Sequence, residues 1–241
     1  MNKRQIHSLH FETLPSTHLF AKEQMGKFDP LMLTCVVAQE QTAGRGQWGR
    51  PFVSQKGNLY LTFYFTVKEG DAPHLPQVLS LSCATLLQEE GVPCQIKWPN
   101  DLMLNGKKCG GVLCETTPLN GRLGVVLSIG LNMNMSQEML STIDQPATSL
   151  FVETQKSWDV TSFLEKLVPQ FMSDLEELEE LGFSSLLERY TALLKFVRST
   201  ICVKEGSHII EGVFHSIDID GHLVLQTSQG LVRCVTGQVL Q

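Results

Sequence analysis

The chain has 241 residues, of which 42% are hydrophobic and 18% charged, a balance typical of a globular protein with a sizeable core. A formal net charge of −6 counts against a protein that holds nucleic acid on a basic face. The N-terminal residues lack the apolar core of a signal peptide, and no later segment is apolar enough to span a bilayer. We therefore expect a cytoplasmic protein.

The first half of the chain shows strand and helix patterns in turn. Ser16 or Thr17 is placed to cap a helix that runs to about residue 25. A glycine-rich stretch, residues 42–57, predicts a long loop of the kind that often carries function. The predicted strands are residues 8–13, 33–39 and 58–67, and a second helix is predicted over residues 75–90.

The middle of the chain predicts a meander of three strands. Asn105-Gly106 and Asn120-Gly121 are strong tight-turn signals between these strands. The predicted strands are residues 95–104, 109–115 and 123–132, and a mainly helical region follows over residues 163–196.

The character of the sequence changes after Val197. Short β-rich segments separated by glycine-containing turns predict a small β-barrel of the SH3-like kind. The predicted strands are residues 201–204, 209–217, 223–226 and 231–235. We place a domain boundary near Lys195, which gives units of residues 1–195 and 196–241.

Seven cysteines are spread along the chain without a Cys-x-x-Cys pair. Closely spaced ligands are typical of zinc sites. Several of these thiols lie in apolar, strand-like segments, so we interpret them as reduced core residues and expect no structural metal.

The loop from Gly44 to Arg50 contains three glycines and two arginines. Glycines let backbone amides approach a ligand, and arginine offers a planar, charged fork to phosphate or carboxylate. The loop lacks the Gly-Lys-Ser/Thr ending of a Walker A motif, and it does not open a helix as a dinucleotide fingerprint does. By itself the pattern also fits a mobile surface loop.

The segment from Lys97 to Asp101 combines a lysine, an aromatic residue, a proline, an amide and a carboxylate. Pro99 cannot donate to a sheet, so we expect a bend or a sheet edge there. Lys97 has the chemistry to hold a substrate carboxylate near a phosphate and to offset negative charge in a transition state. Asp101 could order a magnesium–phosphate group.

Four blocks of sequence, in this order, resemble the signature of biotin–protein ligases, and the resemblance covers nearly the whole chain. They are Gly44-Arg45-Gly46-x-x-Gly49-Arg50, Lys97-Trp98-Pro99-Asn100-Asp101-Leu102, Lys108-x-Gly110-Gly111-x-Leu113-x-Glu115 and Gly130-Leu131-Asn132-Met133. The resemblance implies an α+β fold with a mixed or antiparallel sheet, like that of class II synthetases and biotin–lipoate ligases. It also implies the short form, without an N-terminal DNA-binding domain.

The resemblance further implies a two-step reaction. Biotin and ATP, with Mg²⁺, give biotinyl-AMP, and the biotinyl group then passes to one lysine of a biotin carboxyl carrier domain, such as that of acetyl-CoA carboxylase. No tightly bound prosthetic group is expected. We expect a monomer or a weak homodimer that binds neither DNA nor a membrane. The implied biotin residues are Ser16, Thr17, His18, Gln39, Arg45, Gly46, Gln47, Lys97 and Gly111. The implied nucleotide residues are Arg45, Arg50, Lys97, Asn100, Asp101, Lys108 and Asn132, with Lys97, Arg45 and Asp101 as the catalytic set.

The chain departs from the family pattern at two positions. Many bacterial members carry arginine where this chain has Gln47, and asparagine often stands where it has His18. Three other functions remain open: a lipoate or octanoate ligase of the same fold, a biotin-responsive DNA-binding repressor, and a protein that retains biotin without ligating it. The sequence has no arginine–glycine–glycine–glycine block typical of the first, and its net charge disfavours the second.

Overall fold

The structure, a computed structural model, describes residues 4–240 except the side chain of Trp48. Residues 1–3 of the first predicted unit and residue 241 of the second lie outside the described residues. In the described part of the chain, twelve strands form two sheets. The strands of the large sheet are β1 (Ile6–Leu14), β2 (Leu33–Gln41), β3 (Leu59–Val67), β4 (Gln95–Lys97), β5 (Asp101–Leu104), β6 (Lys107–Leu119) and β7 (Arg122–Leu131). Those of the small sheet are β8 (Thr200–Glu205), β9 (His208–Ile217), β10 (Leu223–Thr227), β11 (Gly230–Cys234) and β12 (Gln238–Leu240).

Over residues 4–240, six α-helices lie between these strands. They are α1 (Thr17–Gln24), α2 (Leu75–Glu89), α3 (Gln137–Leu140), α4 (Leu150–Thr154), α5 (Val160–Leu181) and α6 (Leu187–Ala192). Helix α1 begins where the sequence predicts, because the Ser16 hydroxyl accepts a hydrogen bond from the amide of Leu19. Gly182 separates α5 from α6 with a φ of 77°, which confirms the predicted break.

The large sheet has the strand order β1-β2-β3-β7-β6-β5-β4. Strands β1 and β2 are parallel and all other pairs are antiparallel, so the predicted mixed sheet is confirmed. Helices α2 and α5 pack together against the main core, whereas α1 covers a smaller cluster on β2, β3 and β7. The sheet therefore has helices on both faces. The start of α1 lies close to the long loop, whose residues Thr42 and Ala43 donate to the carbonyls of Leu14 and Pro15.

The segment predicted as one strand over residues 95–104 is instead a hairpin. Strands β4 and β5 are antiparallel, with Lys97 opposite Asp101. The prediction of a single strand was wrong because Trp98, Pro99 and Asn100 form a turn that reverses the chain. Strand β4 is at the sheet edge, as Pro99 predicted, and its backbone is covered by hydrogen bonds between Ile96 and residues 193–195.

The small sheet confirms a C-terminal antiparallel β unit, with β12 as a strand that the sequence did not predict. Its order is β11-β10-β9-β8-β12. The sequence predicts a small SH3-like barrel here, and within residues 4–240 the two edge strands, β11 and β12, do not pair with each other to close one. The carbonyl of Gly221 accepts hydrogen bonds from Trp98 and Gln77, which ties this sheet to the large one. None of the described helices has the length and apolarity needed to cross a bilayer.

Candidate active site

One cleft brings together residues that are far apart in the sequence. Its walls are the loop of residues 45–52, the β4–β5 turn, the start of α1, the middle of β6 and β7, and β12. The residues of the cleft that the sequence predicted are Ser16, Thr17, His18, Arg45, Gly46, Gln47, Arg50, Lys97, Asn100, Asp101, Lys108 and Gly111. Those it did not predict include Gln41, Phe52, Tyr60, Ser128, Gln145 and Gln238.

The glycine–arginine loop is folded back on itself. The amide of Gly46 donates to the carbonyl of Arg50, and the amide of Phe52 donates to the carbonyl of Gly44. Gly44 is buried, and a Cβ there would lie 2.4 Å from the carbonyl oxygen of Phe52. Only glycine therefore fits this position.

The loop is fastened at its end to both sheets. The ring of Phe52 packs over Gly130 of β7, where a Cβ would come within 2.6 Å of the ring. The guanidinium of Arg50 donates to Oε1 of Gln238 at 3.2 Å. The loop is thus held over the cleft by β7 below it and by β12 beside it.

The opposite wall carries a compact cluster of charge. The carboxylate of Asp101 forms an ion pair with Lys108 through one oxygen and lies 3.4 Å from Nζ of Lys97 through the other. Both lysines are largely buried, with 16% and 26% of their side chains exposed. A Cβ on Gly111 would lie 3.1 Å from Nζ of Lys108, so this glycine leaves room for the lysine. The cluster has a net positive charge, which suits an anionic ligand.

Asn100 is the last residue of the β4–β5 turn, and its hydrogen bonds hold the turn in place. Its side-chain amide donates to the carbonyl of Val112 at 2.8 Å. Its backbone carbonyl lies 3.2 Å from the hydroxyl of Ser80, which shares its one proton with the nearer carbonyl of Pro76. Trp98 is buried and donates its indole N–H to the carbonyl of Gly221 at 3.1 Å. These contacts fix the turn, so the direction in which Lys97 projects is set by β6, α2 and the small sheet together.

The third wall is polar and uncharged. The amide and the hydroxyl of Thr17 both donate to Oε1 of Gln41, at 2.8 and 3.1 Å. Nε2 of Gln41 donates to the hydroxyl of Ser54 at 2.9 Å, and that hydroxyl donates to the carbonyl of Phe52. Gln41 therefore links the start of α1 to the glycine–arginine loop.

Two residues assigned to the site by resemblance do not line this cleft. Gln39 is exposed, and Gln41 lines the cleft instead. Gln41 lies two residues further along β2, where it pairs with Leu14 beside the start of α1. Asn132 is buried, and its side-chain amide donates to the carbonyl of Thr148 at 3.1 Å. Asn132 therefore supports the segment after β7 and does not face the nucleotide side of the cleft.

Burial shifts the pKa of two cleft residues. The pKa of His18 is lowered from its ordinary value, mainly by burial, and the nearby carboxylate of Glu115 opposes this shift. The pKa of Tyr60 is raised by burial, and its hydroxyl donates to the carbonyl of Gln55 at 2.8 Å. Tyr60 is thus a neutral donor engaged with the loop backbone.

Outside the cleft, Asp218, Asp220 and His222 place potential metal-binding atoms within 4.8 Å of one another. Arg233 forms ion pairs with both carboxylates. The arginine occupies the position that a cation would take. We therefore interpret the cluster as ion pairs that join β11 to the turn between β9 and β10 in the small sheet.

Comparisons with known proteins agree with this geometry. A model described as the biotin/lipoate A/B protein ligase family matches residues 10–134. The chain is 33% identical over 202 residues to the bifunctional ligase/repressor BirA of Salmonella typhimurium, and the match covers 82% of this chain and 62% of that protein. The chain therefore spans less than two thirds of that relative's length.

Two further similarities cover more of the matched proteins. A biotin–[acetyl-CoA-carboxylase] ligase of Paracoccus denitrificans is 30% identical over 204 residues, with 81% of this chain and 85% of that protein covered. A solved structure of a biotin protein ligase from Aquifex aeolicus, in complex with biotin and ATP, superposes with a TM-score of 0.82 at 27% identity. That superposition covers 97% of both chains.

Proposed function

This chain belongs to the biotin/lipoate A/B protein ligase family, and we propose that it joins biotin to a carrier-domain lysine at the expense of ATP. The observation that supports this function most directly is the make-up of the cleft. A cationic wall around Asp101 faces a polar, uncharged wall around Thr17, and the glycine–arginine loop lies across both. Such a cleft suits a ligand with a polar ring at one end and anionic groups at the other.

The proposed reaction has two steps that share this cleft. An oxygen of the biotin carboxylate attacks the α-phosphorus of ATP, the bond to the β-phosphate oxygen breaks, and pyrophosphate leaves with that electron pair. The ε-amine of the acceptor lysine then attacks the biotinyl carbonyl, AMP leaves, and the amine loses a proton. Holding both reactants together supplies the orientation, and the loop excludes water from the mixed anhydride.

Lys97 and Lys108 serve the anionic part of the reaction. Lys97 is placed to hold the carboxylate beside the α-phosphate and to offset the charge that develops there. Asp101 forms ion pairs with both lysines, so we assign it the role of positioning them. Arg45 and Arg50 of the loop add two permanent charges on the opposite side.

The biotin ring occupies the polar wall in this proposal. Thr17, His18 and Ser128 offer hydrogen-bonding side chains there, and Gln41 takes the place that the resemblance assigned to Gln39. A cyclic urea carries two N–H donors and one carbonyl acceptor, which match the mixed donors and acceptors of this wall. A lipoyl chain has no such groups, and two of the proteins described above are named as biotin ligases.

A direct assay distinguishes biotin from lipoate. Purified protein is given ATP and Mg²⁺ with either acid, and pyrophosphate release is measured. We expect release with biotin and none above background with lipoate. Release with lipoate alone would show that the chain is a lipoate ligase of the same fold.

Replacement of Gln41 by alanine should weaken biotin binding by about tenfold, because the Thr17 amide and hydroxyl lose their shared acceptor. Titration calorimetry without ATP measures this affinity. Gln39→Ala is the matched control, since Gln39 is exposed and outside the cleft. Equal affinities for the two variants would contradict the assignment of Gln41.

Replacement of Gln47 by arginine should slow the escape of biotinyl-AMP by roughly threefold to tenfold, since it adds a charged fork to the loop that covers the phosphate. A chase of enzyme-bound, labelled adenylate with unlabelled biotin and ATP measures the release rate. Gln39→Arg adds the same charge outside the cleft and should leave the rate unchanged. Unaltered release from Gln47→Arg would mean that the residue does not face the adenylate.

The remaining assignments are also proposals. The division into a catalytic unit, residues 1–195, and a C-terminal unit, residues 196–241, is supported by the two separate sheets. We propose a biotin carboxyl carrier domain as the acceptor, and the name of the Paracoccus relative gives acetyl-CoA carboxylase as the protein on which that relative acts. A cytoplasmic location fits the free cysteines, and the lack of DNA binding fits the net charge. A monomeric or weakly dimeric state stays a prediction from the resemblance.

A further inference from the structure

Four hydroxyl and imidazole contacts form a continuous chain beneath the polar wall of the cleft. From Gln41, the hydroxyl of Thr17 leads to that of Thr62 at 2.9 Å. Thr62 contacts the hydroxyl of Ser128 at 2.7 Å, and Ser128 contacts Nδ1 of His18 at 2.6 Å. Thr17, Ser128 and His18 all line the cleft. The positions of the protons in this hydrogen-bonded chain therefore determine whether each side chain acts as a donor or an acceptor toward a ligand.

The direction of the first contact is fixed by the backbone. The amide N–H of Thr17 can only donate, so the atom of Gln41 that it meets must be the oxygen. The contact of Ser54 gives the same orientation of the Gln41 side chain. Ser54 donates its proton to the carbonyl of Phe52, so it must accept from Gln41, and the atom of Gln41 beside it must be Nε2. The hydroxyl of Thr17 therefore donates to Gln41.

The count of protons then decides the state of His18. Each hydroxyl has one proton, so Thr62 must donate to Thr17, and Ser128 must donate to Thr62. Ser128 is left as an acceptor, and Nδ1 of His18 must supply the fourth proton. If Nδ1 carries no proton, only three protons are available for the four contacts. In one contact two acceptor atoms then face each other without a proton between them, and they repel.

The second nitrogen of the ring meets a carboxylate. Nε2 of His18 lies 3.3 Å from Oε1 of Glu115, which also binds Lys22. A neutral ring with its proton on Nδ1 turns a lone pair toward that carboxylate, whereas a ring with its proton on Nε2 breaks the hydroxyl chain. Nε2 makes no hydrogen bond in this structure, so the pull of Glu115 on a proton there is electrostatic. Only the doubly protonated ring presents a proton to both Ser128 and Glu115.

We propose that His18 is a proton-dependent positioning residue for biotin, whose charged form aligns the hydroxyl chain and strengthens binding of the urea ring. In that form every hydroxyl proton is used inside the chain, so Thr17 and Ser128 face the cleft as acceptors for N–H donors. This inference rests on the proposed biotin-ligase function. Asparagine at this position supplies an N–H donor to Ser128 at any pH, whereas a neutral histidine has one proton and places it toward either Ser128 or Glu115.

The sign of the pH effect follows from the surroundings of His18. Burial lowers its pKa in the free protein, and the charged groups that act on it are Glu115 of β6, which favours the charged form, and Lys22 of its own helix, which opposes it. The facing residues of β3 and β7, Thr62 and Ser128, are uncharged. Ligand binding that favours the charged ring raises this pKa, so affinity is lost as pH rises from the free to the bound pKa.

The experiment is calorimetric titration of the full chain with biotin, without ATP, between about pH 6 and pH 8.5. We expect the affinity of the wild type to fall by roughly fivefold to tenfold across this range. Repeating the titration near neutral pH in two buffers of different ionisation enthalpy should show uptake of part of a proton. His18→Asn should remove both effects, whereas His10→Asn, a change of an exposed histidine on β1, should keep them.

The possible results separate this inference from the function on which it rests. Biotin binding with constant affinity and no proton uptake would overturn the role of His18 and leave the ligase function standing. A pH dependence that persists in His18→Asn would assign the proton to another group. No biotin binding at any pH would overturn both proposals. If His18→Asn does not fold, the absence of proton uptake in the wild type would still overturn the role of His18.

Discussion

Lys97→Ala is expected to reduce adenylate formation by roughly 10³-fold while weakening biotin binding only a few fold. The lysine is largely buried in the cleft, at the end of β4, and lies 3.4 Å from Asp101. Its charge matters most when negative charge accumulates at the α-phosphate, whereas the ring of biotin is held on another wall. Single-turnover release of pyrophosphate, together with biotin titration, separates the two effects.

Lys107→Ala is the matched control for this change. Lys107 is exposed on β6, next to Lys108 but outside the cleft, so its removal should leave both quantities unchanged. Asp101 keeps its ion pair with Lys108 in the Lys97 variant, and the fold should therefore persist. Turnover of Lys97→Ala at the wild-type rate would show that the cationic wall does not act on the phosphate.

Gly44→Ala is expected to lower kcat/KM for biotin by roughly 10²-fold without unfolding the protein, because a shift of about 1 Å in a positioning loop is enough for such a loss. The new methyl group would lie 2.4 Å from the carbonyl oxygen of Phe52 and from the hydroxyl of Ser54. Neither the backbone nor the hydrogen-bonded serine can yield without moving the loop. Steady-state kinetics and a thermal melt measure the two parts of this expectation.

Gly70→Ala is the control for the effect of an added methyl group, since no atom lies within 4 Å of a Cβ at that position. It should match the wild type in activity and in melting temperature. A Gly44→Ala variant with wild-type kinetics would mean that the loop tolerates a displaced backbone and does not position the substrates.

Local signals in the sequence determined most elements of the fold. The turns at Asn105-Gly106 and Asn120-Gly121 form as expected, with positive φ at all four residues, because few residues adopt that backbone easily. The helix cap at Ser16 likewise depends on a side chain and an amide three residues away. The hairpin at residues 95–104 could not be predicted in this way, since pairing with β6 and cover from residues 193–195 stabilise it.

The Lys97–Asp101 segment and the Gly44–Arg50 loop were recognisable from the sequence because their chemistry is contiguous: glycines, arginines and lysines lie within a few residues of one another. What only the tertiary structure decided is which polar residues join them. Gln39 and Gln41 lie two positions apart in one strand, and the placement of α1 beside the end of β2 brings Gln41 into contact with Thr17. The hydroxyl chain from Thr17 to His18 is assembled from α1, β3 and β7. Hydrogen bonds of this kind depend on distances between elements remote in the sequence, and packing alone sets those distances.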